Sequence, residues 1–99
     1  MKIRVIRPCS ENAGKVIVKC HLGYCLQLQK FVDLLRGHST EFRRILYFES
    51  SNLLWLKQNG KTILVNSNGE VTVNGADSVD EAVKVVQEIE NVEKLMQSR

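Results

Sequence analysis

The sequence has no apolar run that approaches the roughly 20 residues needed to span a bilayer, which predicts a protein without a transmembrane helix. It opens on alternating basic and aliphatic residues and has no signal-peptide pattern, so we expect a cytoplasmic protein that does not act at a membrane. Its 99 residues, 43% apolar and 25% charged, suffice for one hydrophobic core. We therefore predict a single domain over residues 1–99.

Motifs typical of enzymes are also absent. The sequence has no GxSxG, HExxH, phosphate-binding loop or GxGxxG pattern. His21 and His38 lie at opposite ends of a predicted helix, about 25 Å apart at 1.5 Å per residue, so we do not expect them to share a site. The sequence therefore predicts a protein that is not an enzyme and has no cofactor.

The cysteines form an odd set of three, Cys9, Cys20 and Cys25, whose spacing fits neither a disulfide framework nor paired CxxC motifs. Free thiols are expected, with Cys20 on the core side of its strand. A metal remains an alternative, because His21 lies between two cysteines, and Cys9 and His38 could act as outer ligands. Zinc needs about four N or S donors, and an iron–sulfur cluster about four thiolates.

Charge is unevenly distributed along the chain. Residues 1–44 carry nine Lys or Arg and three Asp or Glu, a net charge of +6, whereas residues 45–99 carry five and eight, a net charge of −3. Such a division is found in proteins with a basic contact face and also in ordinary solvated surfaces. It does not decide between these two interpretations.

The first half of the chain predicts two strands and a helix. Residues 2–7 and 15–20 alternate basic or polar residues with aliphatic ones, and turn residues separate them. A helix is expected over residues 24–36, with Gly37 as a left-handed cap. Its apolar positions recur with helical spacing, at Leu28, Phe31, Val32 and Leu35.

The second half predicts four strands, at residues 43–49, 53–57, 62–66 and 70–74. Asn59-Gly60 favours a type I′ turn between two of them. A second long helix follows, for which Ser78 and Glu81 form a capping box. Its apolar side contains Val79, Ala82, Val83, Val86 and Ile89, with Leu95 or Met96 extending it, and its acidic, solvated side contains Asp80, Glu81, Glu88, Glu90 and Glu93. The predicted fold is α+β, a curved antiparallel sheet of five to six strands with two helices on one face, in the order β-β-α-β-β-β-β-α.

Residues 59–89 read as a hairpin that leads through a Gly-Ala step and a Ser cap into a long helix. Upstream, residues 16–20, Leu22-Gly23 and the pair Leu26 and Leu28 supply a first strand, a turn and the start of a helix. This arrangement resembles a single repeat of the TATA-box-binding protein over about residues 15–96. The resemblance implies half of that family's saddle.

Residues important for DNA binding in that family differ here. Asn66 stands where the resemblance implies a wedge Phe, and Asn52 lies nearest the other wedge position. Glu70 and Asp77 replace two lysines that face phosphates. A carboxylate in place of a lysine reverses the sign of the local Coulomb interaction, so any duplex binding is expected to be weak, with a Kd of about 10⁻⁴ to 10⁻⁶ M.

Strict alternation along the strands predicts two faces. The helix side takes Val16, Val18, Leu54, Leu56, Ile63, Val65, Val71 and Val73, and the open side takes Lys15, Ile17, Lys19, Leu53, Trp55, Lys57, Thr62, Leu64, Asn66, Glu70, Thr72 and Asn74. On the open side, Ile17, Leu53, Trp55 and Leu64 are expected to form an apolar cluster flanked by lysines. The alternative is a register shift of one residue, which would place Trp55 in the core.

The open side is the predicted site of function. We expect a binding module that uses this surface for a protein partner or a second copy of itself. The predicted binding residues are Lys15, Ile17, Lys19, Leu53, Trp55, Lys57, Thr62 and Leu64. A weak nucleic-acid-binding protein is the first alternative, and a thiol or metal protein using the cysteines is the second.

Residues 2–7 lie outside the resemblance. They are expected to pair with the strand at residues 15–20 and to cover an edge that a lone repeat would leave open. This covering favours a monomer. The alternative is exchange of the strand between two copies, which would give a dimer.

Overall fold

The computed structural model describes residues 2–6, 15–37 and 42–97. The predicted α+β fold is confirmed, with a six-stranded antiparallel sheet and two helices on one of its faces. The strands lie in the order β1-β2-β6-β5-β4-β3 across the sheet. The elements are β1 (Lys2–Ile6), β2 (Val16–His21), α1 (Leu28–Gly37), β3 (Arg44–Phe48), β4 (Leu53–Gln58), β5 (Lys61–Asn66), β6 (Glu70–Ala76) and α2 (Val79–Gln97), with a 3₁₀ turn at Glu49–Ser51.

β1 covers the outer edge of β2, as predicted. The two strands pair antiparallel from Lys2 opposite His21 to Ile6 opposite Ile17. The edges of the sheet are therefore β1 and β3. The cysteine at position 9 and the histidine at position 38 lie outside the residues that the structure describes.

The helices pack on the face to which alternation assigned the core. α2 contacts β2, β6 and α1, and α1 also contacts β3. All eight residues predicted for this face are buried: Val16, Val18, Leu54, Leu56, Ile63, Val65, Val71 and Val73. Neither helix, over the described residues, is long and apolar enough to cross a membrane.

α1 begins four residues later than predicted, at Leu28 instead of residue 24. The preceding segment donates the backbone N–H groups of Leu22 and Leu26 to the carbonyl oxygens of Gly69 and Ser67, which belong to the β5–β6 turn. These tertiary hydrogen bonds hold the segment in a non-helical conformation. The predicted left-handed cap is also wrong, because Gly37 is the last residue of the helix and does not have a positive φ.

The turn signals at Asn59-Gly60 and Gly69 correspond to real turns. Asn59 and Gly60 have φ of 45° and 81°, and a type I′ turn requires positive φ at both positions. Gly69 has φ of 97°, and its N–H donates to the carbonyl of Asn66. A Cβ at Gly69 would collide with the carbonyl oxygen of Tyr24, so the segment before α1 can approach the turn only because the residue is glycine.

The start of α2 contains half of the predicted capping box. Ser78 Oγ accepts the N–H of Glu81 at 3.1 Å. The Glu81 carboxylate, however, accepts the N–H of Asp77 at 3.3 Å instead of that of Ser78. Its other oxygen is bound by Lys61, which fixes the side chain towards the sheet.

The two sides of α2 also differ in detail from the prediction. Val85 and Val92 are buried together with Ala82, Val86 and Ile89, whereas Val79 and Val83 are only half-buried. The acidic side is not uniformly solvated, since Glu93 is 6% exposed and Glu81 and Glu88 are half-buried. Glu88 accepts a hydrogen bond from Gln58 at 3.1 Å. Glu81 and Glu88 therefore hold the helix against the sheet.

Candidate binding surface on the open sheet face

None of the described helices or strands lies over the sheet face opposite the helices, which we call the open face. Seven of the eight predicted binding residues lie in strands on this face, Lys15 directly precedes β2, and all eight are at least partly exposed. Lys15, Lys19 and Lys57 are exposed, and Ile17, Leu53, Trp55, Thr62 and Leu64 are half-buried.

Trp55 occupies the middle of an apolar row on this face. It pairs with Leu46 of β3 on one side and with Leu64 of β5 on the other. The alternative that placed Trp55 in the core is wrong, because Leu54 and Leu56 are the fully buried residues of β4. Trp55 owes its partial burial to neighbours within the sheet.

Two apolar residues of the open face were not predicted from the sequence. Leu46 is 48% exposed and Phe48 is 47% exposed, and they pair with Trp55 and Leu53. We call the combined surface the apolar patch, consisting of Leu46, Phe48, Leu53, Trp55 and Leu64. Ile45 and Tyr47 of the same strand pack against the core. Because both sides of β3 are apolar, alternation alone could not assign its faces.

Ile17 is not part of this patch, contrary to the predicted cluster. It lies on β2 opposite Asn74 of β6, whose other partner is Thr62 of β5. Thr72, the open-face neighbour of Asn74 along β6, pairs with Leu64. Two polar side chains therefore separate Ile17 from the apolar patch.

Cations border the apolar patch. Lys57 Nζ lies 5.7 Å from the centre of the Trp55 ring, within the range of a cation–π interaction, and Arg44 pairs with Lys57 across β3 and β4. Lys19 lies opposite Arg4 on β1. Glu70, 3.9 Å from Lys19, is the only carboxylate among the described open-face residues of the six strands. The open face is therefore predominantly basic.

Lys15 has a different environment from the other lysines. It forms an exposed salt bridge with Asp77, just after β6. The hydrogen bond and charge of Asp77 raise the pKa of Lys15, and the hydrogen bond and charge of Lys15 lower the pKa of Asp77. Lys15 is therefore already neutralised locally and contributes less to the basic character than its sequence suggests.

The basic character is strongest at one end of β3 and β4. An open depression of about 410 Å³ is present there, lined by Arg43, Arg44, Lys57, Gln58, Asn59 and Gly60. Arg43, Arg44 and Lys57 form no salt bridge with any residue that the structure describes. Three cations around one depression favour an anionic group of a partner.

Of the candidate metal ligands, the three in the described part of the chain, Cys20, His21 and Cys25, lie in different environments. Cys20 is buried on the core side, where burial raises the pKa of its thiol, and the nearby Glu90 acts in the same direction. His21 is exposed on the opposite face, and its Nδ1 accepts the N–H of Gly23 at 3.0 Å. Cys25 is exposed in the segment before α1. The described residues contain no group of three or more His, Cys, Asp or Glu placed to hold a metal ion.

The chain matches no protein-family model, no curated protein and no solved structure.

Proposed function

We propose that this chain is a non-enzymatic binding module whose open face binds a protein partner or a second copy of the chain. The observation that carries the proposal is the apolar patch, which joins an aromatic indole to four further apolar side chains on an uncovered surface. Contiguous exposed apolar surface is typical of protein interaction sites, and Trp is enriched among the residues that dominate binding energy.

The surroundings of the patch support a site with a polar rim. Arg44, Lys57 and Lys19 lie around it, Thr62 lies next to Leu64 along β5, and Thr72 lies on the side towards β2. An apolar centre surrounded by solvated polar groups is the usual composition of a protein interface. The partner is expected to present apolar groups to Trp55 and acidic groups to the surrounding cations.

The proposal includes kinship with one repeat of the TATA-box-binding protein. The order of elements from β2 to α2, with both helices on one face, supports it. Recognition of kinked duplex is not part of the proposal, because Asn66 and Glu70 occupy the open face where a wedge and a cation would be needed.

A capture experiment tests the role of the apolar patch. Wild type, Trp55→Ala and Asn74→Ala would be immobilised and exposed to an extract of the cells that make the protein. Asn74 is exposed on the same face but lies outside the patch, so it is the matched control. We expect a partner that wild type and Asn74→Ala retain and Trp55→Ala loses. Identical captured sets for all three proteins would contradict the proposal.

A weak nucleic-acid-binding function is the second candidate, and the Lys57–Trp55 pair favours it. An aromatic ring that stacks on a base, next to cations that contact phosphate, is the usual arrangement for single-stranded nucleic acids. Retention of a labelled single strand should fall with salt, and Lys57→Ala should lower the salt slope by about 1. Lys84→Ala removes an exposed lysine of α2, which lies on the other side of the sheet, and should leave the salt slope unchanged. Equal slopes for both variants would exclude this candidate.

A further inference from the structure

Among the residues that the structure describes, nothing gives the edge strand β3 the usual protection against pairing. Edge strands in monomeric proteins are commonly blunted by charged residues, by proline or by a covering element. β3 contains one charged residue, Arg44, at its first position, and its two open-face apolar residues, Leu46 and Phe48, are about half exposed. Among the described elements, β4 is its only strand partner. Its outer side is therefore suited to accept another strand.

β1, the opposite edge, is protected by its sequence. Basic residues occupy its first and central positions, Lys2 and Arg4. If two β1 strands paired antiparallel over their full length, Arg4 would lie opposite Arg4 of the second copy. Like charges directly opposite each other destabilise a strand pair. The two edges of the sheet therefore differ in their capacity for self-pairing.

We propose that two copies of this chain pair through β3, antiparallel, about a two-fold axis that passes beside Leu46. With this axis the two six-stranded sheets join into one continuous sheet of twelve strands, and the helices of both copies lie on the same side of it. Residues then pair only with residues of the same face. The register centred on Leu46 is the one that pairs all five residues of β3.

Every pair in this register is compatible. Leu46 lies opposite Leu46 of the second copy, and Ile45 lies opposite Tyr47 on the helix side. Arg44 lies opposite Phe48, so no two arginines of the strands oppose each other. Aromatic pairs with aliphatic residues and cations over aromatic rings are both favourable across strands.

The same register gives charge complementarity just beyond the strand. Arg43 precedes β3, and Glu49, the first residue of the 3₁₀ turn, follows it, so this register brings each Arg43 near Glu49 of the second copy. Both side chains are exposed, and neither forms a salt bridge within the described part of the chain. The two-fold axis produces this pair twice. Opposite charges at both ends fix the register, since a shift would separate them.

This pairing rests on the proposed function of the open face and identifies the second copy as one of its partners. It joins the two apolar patches across the new strand pair, because Leu46 and Phe48 belong both to β3 and to the patch. The contact itself depends on the edge of β3 and not on Trp55.

The experiment measures the mass of the full chain by sedimentation equilibrium over about 1 µM to 1 mM. Wild type should shift from monomer towards dimer as concentration rises. Leu46→Lys places two lysines opposite each other at the axis and should weaken the dimer by about tenfold or more. Ile3→Lys is the matched control, since Ile3 is 47% exposed on the other edge strand, and it should dimerise as wild type does.

A charge-reversal mixture tests the register. Leu46→Lys and Leu46→Glu should each be mostly monomeric, whereas an equimolar mixture should form a heterodimer with Lys opposite Glu. A circular dichroism spectrum like that of wild type shows that each variant is folded. A wild-type chain that stays monomeric throughout, an equal loss of dimer in Ile3→Lys, or a mixture that does not associate would overturn the pairing.

The two proposals fail in different ways. A monomeric wild type that still captures a partner through Trp55 would refute the β3 pairing but support the open-face function. In that case the β3 edge would be open to an extended segment of another protein. A Leu46-dependent dimer whose captured set does not change in Trp55→Ala would support the pairing and contradict the open-face function.

Discussion

Lys61 Nζ donates a hydrogen bond to Glu81 Oε1 at 2.7 Å and thereby links the start of β5 to the first turn of α2. The side chain of Lys61 is 8% exposed, whereas that of Glu81 is 34% exposed. The cation is thus the more deeply buried partner. Glu81 also accepts the N–H of Asp77, so one carboxylate stabilises both the helix end and the helix–sheet contact.

Because Lys61 and Glu81 are unequally buried, we expect their substitution to lower the free energy of unfolding by different amounts. Glu81→Gln leaves a buried ammonium without its counter-charge and should destabilise the fold by about 2 to 3 kcal/mol. Lys61→Met leaves a carboxylate that water can reach and should cost about 1 kcal/mol. Urea unfolding of both variants measures the difference, and a larger cost for Lys61→Met would contradict the assignment of Lys61 as the critical buried charge.

The same pair predicts how stability depends on pH. The hydrogen bond from Lys61 lowers the pKa of Glu81 below its ordinary value of 4.5, so Glu81 contributes its full stabilisation above that value. The contribution is lost as the pH falls through the lower, folded-state pKa. Urea unfolding from about pH 7 to about pH 3 should show a decline that is shallower in Glu81→Gln. Parallel profiles for the two proteins would show that another group dominates.

Two turn glycines should respond differently to the same substitution. Gly69→Ala combines a positive φ with a collision between the new Cβ and the carbonyl oxygen of Tyr24. Gly60→Ala is the matched control, because Gly60 has positive φ but nothing within 4 Å of a Cβ. Gly60→Ala should cost about 1 to 2 kcal/mol and Gly69→Ala clearly more. Equal shifts in the unfolding midpoint would contradict the close approach.

The position of Trp55 predicts its spectrum and its contribution to stability. In dilute solution, its fluorescence should be red-shifted and readily quenched by iodide. Trp55→Ala should cost about 1 to 2 kcal/mol, less than the 3 to 5 kcal/mol typical of a core aromatic. Leu54→Ala, on the same strand but fully buried, should cost about 2 to 5 kcal/mol. A blue emission maximum with a larger loss for Trp55→Ala would contradict its place on the open face.

Removal of β1 should expose the edge of β2. In a chain that lacks residues 1–6, the outer side of β2 loses β1, its only partner there among the described strands. We expect light scattering to show higher oligomers or aggregates that the full chain does not form. Unchanged mass and solubility would show that β1 does not protect this edge.

The faces of β6 could be predicted from the sequence because Val71 and Val73 alternate with polar residues. β4 begins with four consecutive apolar residues, so its faces followed only from assuming strict alternation in the right phase. The burial of Lys61 follows from the same alternation, because Lys61 lies on the same side of β5 as the buried Ile63 and Val65. The faces of β3 could not be predicted, because Ile45 and Leu46 are equally apolar although they lie on opposite sides. Pairing with Trp55 places Leu46 on the open face, and that contact depends on register between strands.

The start of α1 shows a different limit. Residues 24–27 do not contain a helix-breaking residue, and local preference permits a helix there. The segment is held open by hydrogen bonds to a turn more than 40 positions later in the sequence, at Ser67 and Gly69. Only the tertiary structure provides those carbonyl groups.

The contrast between the two edge strands also determines how far a sheet built from this chain can grow. Arg4 in the middle of β1 makes that edge repel another of its kind, whereas β3 is the edge at which we propose that a second copy pairs. Under this pairing each molecule binds one other molecule, and the β1 edges that remain exposed in the dimer do not pair with each other. Association through backbone hydrogen bonds is then self-limiting, and an open β edge does not commit this protein to fibre formation.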